Sequence, residues 1–233
     1  MCIRDSTYAI EDCTPNVLEL RDLLLAKSQY TLVKLSPMLD WRKAVADFDG
    51  TVREVHIVAT GNECKELLLV LGQQVHEEPS APRVFCVNDN QRIDYDSAAY
   101  TQGLRIGGKP LPEAKNYLYE PNASIMKAGC FDLVEERFGV TQVGPSSHLF
   151  VSATPVADFP GRGFAIESIG GMNKKDIKRL LNGTKQANIA VRNFPLTAPQ
   201  LRKKLKLADG GPVYLFGTTM QGCDHVLLRT SKI

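Results

Sequence analysis

Apolar positions along the chain alternate between helical spacing and short continuous runs, and that alternation sets the expected elements. Val17, Leu18, Leu20, Leu24 and Leu25 fall at intervals that suit one face of a helix. Thr14-Pro15-Asn16 precedes them with a capping residue and a first-turn proline, so a helix to about Lys27 is expected. The run Tyr30 to Leu35 (YTLVKL), closed by Ser36-Pro37, reads as a buried strand. Asp40 then caps a short helix from Trp41 to Phe48, ended by Asp49-Gly50, and Val52 to Ala59 is a further strand. A helix opening at Asn62 and running through Glu63-Cys64-Lys65-Glu66 to Leu71 follows, and then a strand from Arg83 to Val87. Helix, strand, helix, strand, helix, strand indicates a layered α/β sheet. A sheet that begins on a helix implies earlier strands, whose loss would leave Tyr30 to Leu35 with an open apolar edge. Met1 to Ser6 suits neither a strand nor a helix start and is set aside, so the reading begins at Thr7.

From Asn88 to Lys115 the chain is polar and rich in Gly, Asp and Pro. Gly107-Gly108-Lys109-Pro110-Leu111-Pro112 is its strongest break, and an inter-domain connection is expected there. Tyr117 to Asn122 leads into helical patterning over Ala123 to Ala128 and Phe131 to Phe138, then a strand from His148 to Ser152, which makes a small α+β segment. After Phe159-Pro160-Gly161 the expected order is strand (Phe164 to Ile169), helix (Asn173 to Leu181), strand (Ala187 to Arg192), helix (Thr197 to Leu207) and strands at Val213 to Thr218 and His225 to Arg229. Asn173 and Thr197 are the expected N-caps, and Gly183 and Gly210-Gly211 the expected stops.

Charge divides the chain where the pattern does. The net +2 is the difference between residues 1–160, with 15 basic and 22 acidic side chains, and residues 161–233, with 13 basic and 4 acidic, so the two parts carry −7 and +9. A segment that basic suits a polyanionic partner, because neutralising phosphates releases counterions; the alternative is a solvated lysine-rich face. The six cysteines and four histidines are scattered, without a C-x-x-C pair or zinc-like spacing, so reduced structural thiols and no metal site are expected. No apolar stretch approaches the roughly 20 residues of a membrane span, and a cytoplasmic protein is expected.

Candidate chemistry concentrates in the basic segment. Lys174, Lys175, Lys178 and Arg179 lie on one expected helix and Arg202, Lys203 and Lys204, with Lys206, on another, with subsets sharing a face. Arg192-Asn193-Phe194 ends a strand with a guanidinium, an amide and a ring suited to phosphate, base edge and base stacking, although Phe194 could equally be core. These are the candidate RNA-binding residues. Elsewhere, ligands of open α/β sheets sit beyond the carboxyl ends of strands, which points to Ser36 to Asp40 and Gly61-Asn62-Glu63, unless Asp40 and Asn62 only cap helices. Cys64 beside Lys65 is either an activated thiolate at a helix start or a structural cysteine, and Glu11-Asp12 either project into a site or form a solvated turn. The sequence contains no G-x-G-x-x-G and no Walker-type loop.

The motifs LVKLSPMLD (32–40), NECKELL (62–68), YLYEPNASIMKAG (117–129), FPGR (159–162), VRNFPL (191–196), LRKKLKL (201–207) and GGPVYLFGTT (210–219) together resemble a bacterial family of class I S-adenosylmethionine-dependent methyltransferases with a ferredoxin-like segment and a C-terminal THUMP-like domain. The resemblance covers nearly everything from Thr7 onward. It implies an α/β chain made of the C-terminal part of a Rossmann-like methyltransferase sheet (7–105), a ferredoxin-like α+β segment (106–160) and an α/β THUMP-like domain (161–233), with the Tyr30, Val52 and Arg83 strands as the last three of seven. It further implies methylation of RNA with S-adenosylmethionine as cofactor. The family's glycine-containing cofactor loop and Asp-Pro motif would lie upstream of Thr7. The resemblance therefore assigns this chain no catalytic or cofactor-binding residue, and implies a C-terminal fragment inactive alone. The alternative is a non-catalytic RNA-binding or protein-interaction module on a methyltransferase-like scaffold.

Overall fold

The computed structural model describes residues 9–73, 81–99, 111–222 and 224–233. Met1 to Ser6, Cys2, Cys223, the Asp12 side chain, the 105/106 boundary and Gly107 to Pro110 of the break signal lie outside the described residues. The chain forms two compact units, one from the described residues of Met1–Gly103 with Asn122–Cys130, the other from those of Leu104–Pro121 with Phe131–Ile233.

In the first unit the Asn16 side chain accepts the Leu18 N–H and starts α1 (Val17–Lys27). After β1 (Tyr30–Leu35), Asp40 accepts from the N–H groups of Arg42 (2.8 Å) and Lys43 (3.2 Å) and starts α2 (Trp41–Asp47). The expected helix from Asn62 is instead a strand. β2 (Val52–Thr60) and β3 (Glu63–Gly72) form a hairpin whose two-residue loop has Gly61 at φ +58° and Asn62 at φ +63°. Positive φ at both central positions marks the mirror-image turn whose twist matches paired strands, and Gly and Asn adopt it at little cost. Leu67, Leu69 and Leu71 are completely buried while Leu68 and Val70 are half-buried. This period of two belongs to a strand, and each fully buried leucine contributes about 1.5–3 kcal/mol.

The polar stretch after Asn88 also differs from expectation, because β4 (Arg83–Asn88) turns at Asp89 (φ +50°) into β5 (Gln91–Asp96), with Ile93 and Tyr95 buried on alternate positions. The sheet order is β1-β3-β2-β4-β5. β3 is antiparallel to both neighbours, so β1 and β2 run the same way, and β2 is parallel to β4. β3, which replaces the expected helix, lies between the Tyr30 and Val52 strands, and the Arg83 strand follows on the far side of Val52. β1 is an edge rather than a buried strand: Tyr30 and Leu32 are 61% and 63% exposed. Asn122 caps α3 (Ala123–Ala128), which packs on β2, β3 and β4. The Ala128 carbonyl accepts from the Trp41 indole (3.3 Å) and from Arg42 (2.9 Å).

The second unit is one seven-stranded sheet with helices. β6 (Tyr117–Pro121), α4 (Phe131–Phe138), β7 (Thr141–Gln142) and β8 (Phe150–Ser152) precede β9 (Gly161–Gly170), α5 (Lys174–Leu181), β10 (Asn188–Arg192), α6 (Ala198–Leu205), β11 (Val213–Thr219) and β12 (His225–Lys232), in the order β10-β11-β12-β9-β6-β8-β7. Only β10 and β11 are parallel. The sheet passes unbroken from β6 to β9 at Gly161, where a Cβ would collide with the Glu120 carbonyl oxygen. One face buries Leu118, Val143, Leu149, Val151, Phe164, Phe216 and Leu228. The other buries Leu215 and Leu227 against Leu180, Leu201 and Leu205 of α5 and α6. Strand alternation explains the division, since Leu215 and Phe216, like Leu227 and Leu228, are adjacent residues on opposite faces.

Candidate nucleic-acid interface

Both basic helices are fixed locally before they pack. Asn173 accepts the Asp176 N–H (2.9 Å) to start α5, and Thr197 forms a capping box with Gln200 to start α6. The helices end at Asn182 and Lys206 in the left-handed conformation, so the stop at α5 comes one residue before Gly183 and that at α6 four before Gly210. Leu180 faces inward from α5, and Leu201 and Leu205 from α6, toward a shared core, so the two helices lie on one side of the sheet. That leaves Lys174, Lys175 and Lys178 of α5, and Lys203 and Lys204 of α6, exposed on the helical layer, joined by Lys185 and Lys206 from the turns. Among the described residues none of these seven ammonium groups is in an ion pair. Lys185 stands alone in a turn, and the only sequence signal near it is Gly183 at the helix end.

The arginines of the same helices are engaged by the protein. Arg179 donates to the Ile169 carbonyl (2.8 Å) and to Asp176 (3.2 Å). Asp176 is held below the usual carboxylate range by the Gly171 N–H, then by the Asn173 amide and Arg179. Arg202 donates to the carbonyls of Ala187 and Ala208, both at 3.0 Å, and pairs with Asp209 at 2.6 Å.

Arg192 and Asn193 are not on the helical layer. Arg192 pairs in register with Thr218, two residues from Phe216, so it projects from the face that carries Leu118 and Phe164. There it donates to Glu120 at 2.8 Å, and Arg162 donates to the other oxygen of the same carboxylate. Glu120 is 3% exposed and the two arginine side chains are 40% and 44% exposed. The Asn193 amide donates to the Pro145 carbonyl at 2.8 Å. Phe194 packs with the α5–α6 core and lies edge-on to His225, which makes it a core ring. No local signal marks Glu120 and Arg162 as a site, because their pairing spans 42 residues.

In the first unit the strand ends are occupied. Asp40 is a helix cap; Asn62 sits in the hairpin turn and accepts the Ala123 N–H at 2.8 Å, while the Gly61 N–H donates to Asp89 at 3.0 Å. Cys64 lies in β3, not at a helix start, and burial pushes its thiol up. Cys86 and Cys130 are both buried with their thiols in hydrogen-bond contact, which with burial raises Cys86. An open groove of about 570 Å³ is lined by Tyr30, Arg53, Glu54, Val70, Gln73 and Arg83. It lies near the amino ends of β1, β2 and β4, opposite to where ligands of open α/β sheets sit. Arg83 there pairs with Asp94. Among the described residues no group of three or more side chains could hold a metal, and no helix is long and apolar enough to cross a membrane.

Comparison with known proteins divides the chain differently from its two compact units, since the first matched segment takes in Asn122–Cys130. Residues 117–160 match the family model of a ferredoxin-like domain, and residues 161–232 that of a THUMP-like domain. A crystal structure from Porphyromonas gingivalis, described as a "putative methyltransferase", is 34% identical over 97% of this chain with a TM-score of 0.86. The chain spans 56% of that protein's length. No curated protein matches. The chain is thus a mixed α/β protein with a ferredoxin-like and a THUMP-like segment and the structural likeness of a methyltransferase.

Proposed function

We propose that this chain is the C-terminal part of a class I S-adenosylmethionine-dependent methyltransferase acting on RNA, and that it supplies the surface that holds the RNA rather than the cofactor pocket. The observation that carries the reading is the match to the P. gingivalis protein, which takes in 97% of this chain and leaves nearly half of that protein without a counterpart here. The open edge of β1, with Tyr30 and Leu32 exposed, supports it, since preceding strands of the same sheet would pair there. A THUMP-like module bearing seven lysines on one helical layer, none in an ion pair among the described residues, supports RNA as the substrate. A cytoplasmic setting goes with that substrate.

The residues present do not fit the cofactor. The sequence has no glycine-rich phosphate or nucleotide loop, and the polar groups at the carboxyl ends of β1 and β2 are hydrogen-bonded within the protein. No chemical step is therefore assigned to them. The same observation favours a second reading, a non-catalytic RNA-binding module on a methyltransferase-like scaffold.

Calorimetric titration of the chain tests the proposal. RNA should bind at low salt and S-adenosylmethionine should not; stoichiometric binding of S-adenosylmethionine would contradict it. The complete reading frame separates the two readings, because an upstream glycine loop that confers cofactor binding supports the enzyme and a frame beginning at Met1 supports the scaffold.

A further inference from the structure

The composition of the helical layer narrows what kind of RNA it suits. Residues 173–187 and 197–212, which make up α5, α6 and their turns, contain no phenylalanine, tyrosine, tryptophan or histidine. The aromatic residue nearest in sequence to α6, Phe194, is packed against Leu201 and Gly217. Proteins that hold single strands rely on rings beneath the bases, each stacked base adding about 1–3 kcal/mol, and this layer has none to offer. Base edges are read chiefly by arginine forks and by amides. Here Arg179 and Arg202 donate to backbone carbonyls and carboxylates, and Arg192 and Asn193 are engaged on the other face with Glu120 and Pro145. Among the described residues, what these two helices and their turns chiefly offer, beside the two exposed amides of Asn182 and Gln186 in the turn after α5, is lysine ammonium groups, which are point charges without a directional fork. They stand on two capped helices seated on one core, so their spacing is held by the fold.

We infer that the α5–α6 layer binds double-helical RNA through its phosphates alone, without reading sequence. This rests on the RNA reading above and adds the form of the RNA to it. A duplex also rewards such a surface more than a single strand does, as in DNA, where counterion release per neutralised phosphate gives a salt slope of about 0.9 for the duplex against about 0.7 for single strands.

The test uses the full chain, a mixed-sequence RNA duplex, a second duplex of scrambled sequence, and each of the component strands. Both duplexes should bind equally, within about threefold, and about tenfold or more tighter than either strand at the same salt. Lys203→Gln/Lys204→Gln, which alters only exposed positions, should lower the slope of log affinity against log salt by about 2 while the circular dichroism spectrum is unchanged. Equal or tighter binding of the single strands, or a tenfold difference between the two duplexes, overturns the inference and leaves the RNA reading standing. Absence of binding to every RNA at low salt overturns both.

Discussion

Arg192, at the end of β10, and Glu120, in β6, meet at 2.8 Å although three strands separate theirs in the sheet. Four inter-strand steps of about 4.8 Å place flat neighbours roughly 19 Å apart, further than the two side chains together can span. The sheet must therefore curl toward the face that carries Leu118, Phe164, Phe216 and Leu228, in the manner of a barrel whose strands are staggered. Arg162 and Arg192 both belong to the THUMP-like segment and Glu120 to the ferredoxin-like one, so the ion pairs fasten one matched segment to the other.

Replacing Glu120 by glutamine should destabilise the second unit by about 2–3 kcal/mol. A fully buried pair that loses one partner costs about 3–5 kcal/mol, and the value is reduced because both guanidinium groups keep contact with water. Arg192→Met should cost less, about 1 kcal/mol, since Glu120 retains Arg162. Urea unfolding of the two variants measures the difference.

The β2–β3 turn makes a second demand on particular residues. Gly61→Val puts a branched side chain at φ +58° and should cost about 1–2 kcal/mol, whereas Gly61→Asn should be nearly neutral. Thermal unfolding of the pair distinguishes a turn requirement from a general sensitivity of this loop.

His148 is pushed below its ordinary pKa of 6.5, by burial first and by Arg192 second. The fold thus favours the neutral ring, and the unfolded chain binds the extra proton. The corresponding stability is fully present above about pH 6.5 and is lost as pH falls through the lower folded value. His148→Asn, which tolerates the φ of +53° at this position, should flatten the dependence of unfolding free energy on pH between about 7 and 5.

Residues 161–233 should not fold alone. Phe164, Phe216 and Leu228 complete their core with Leu118, Val143, Leu149 and Val151, all upstream of residue 161. Expressed alone, this segment should lack a cooperative unfolding transition, which is why RNA binding is to be measured on the whole chain.

Much of the second unit was legible in the sequence because its signals are local. Asn173 and Thr197 are caps, the strands after them are short apolar runs, and the helices at Ala123 and Phe131 lie where their spacing put them. The first unit was harder to read for a physical reason. Leu67 to Leu71 is a continuous apolar run that a helix or a strand could bury, and the deciding signal was the pair Gly61-Asn62 between two such runs. The alternation of Ile93 and Tyr95 lies beneath a polar average that reads as a connection. At the site, charge spacing identified the lysines, but nothing local tells a free arginine from one engaged by a distant carboxylate. Only the folded sheet brings Glu120 to Arg192.

The most direct measurement of the central claim is RNA affinity as a function of salt for the intact chain and for Lys203→Glu/Lys204→Glu. The account predicts binding at low salt that falls steeply as salt rises, and a loss of about tenfold or more in the variant with the fold intact. Affinity that is unchanged in the variant, or indifferent to salt, would contradict it.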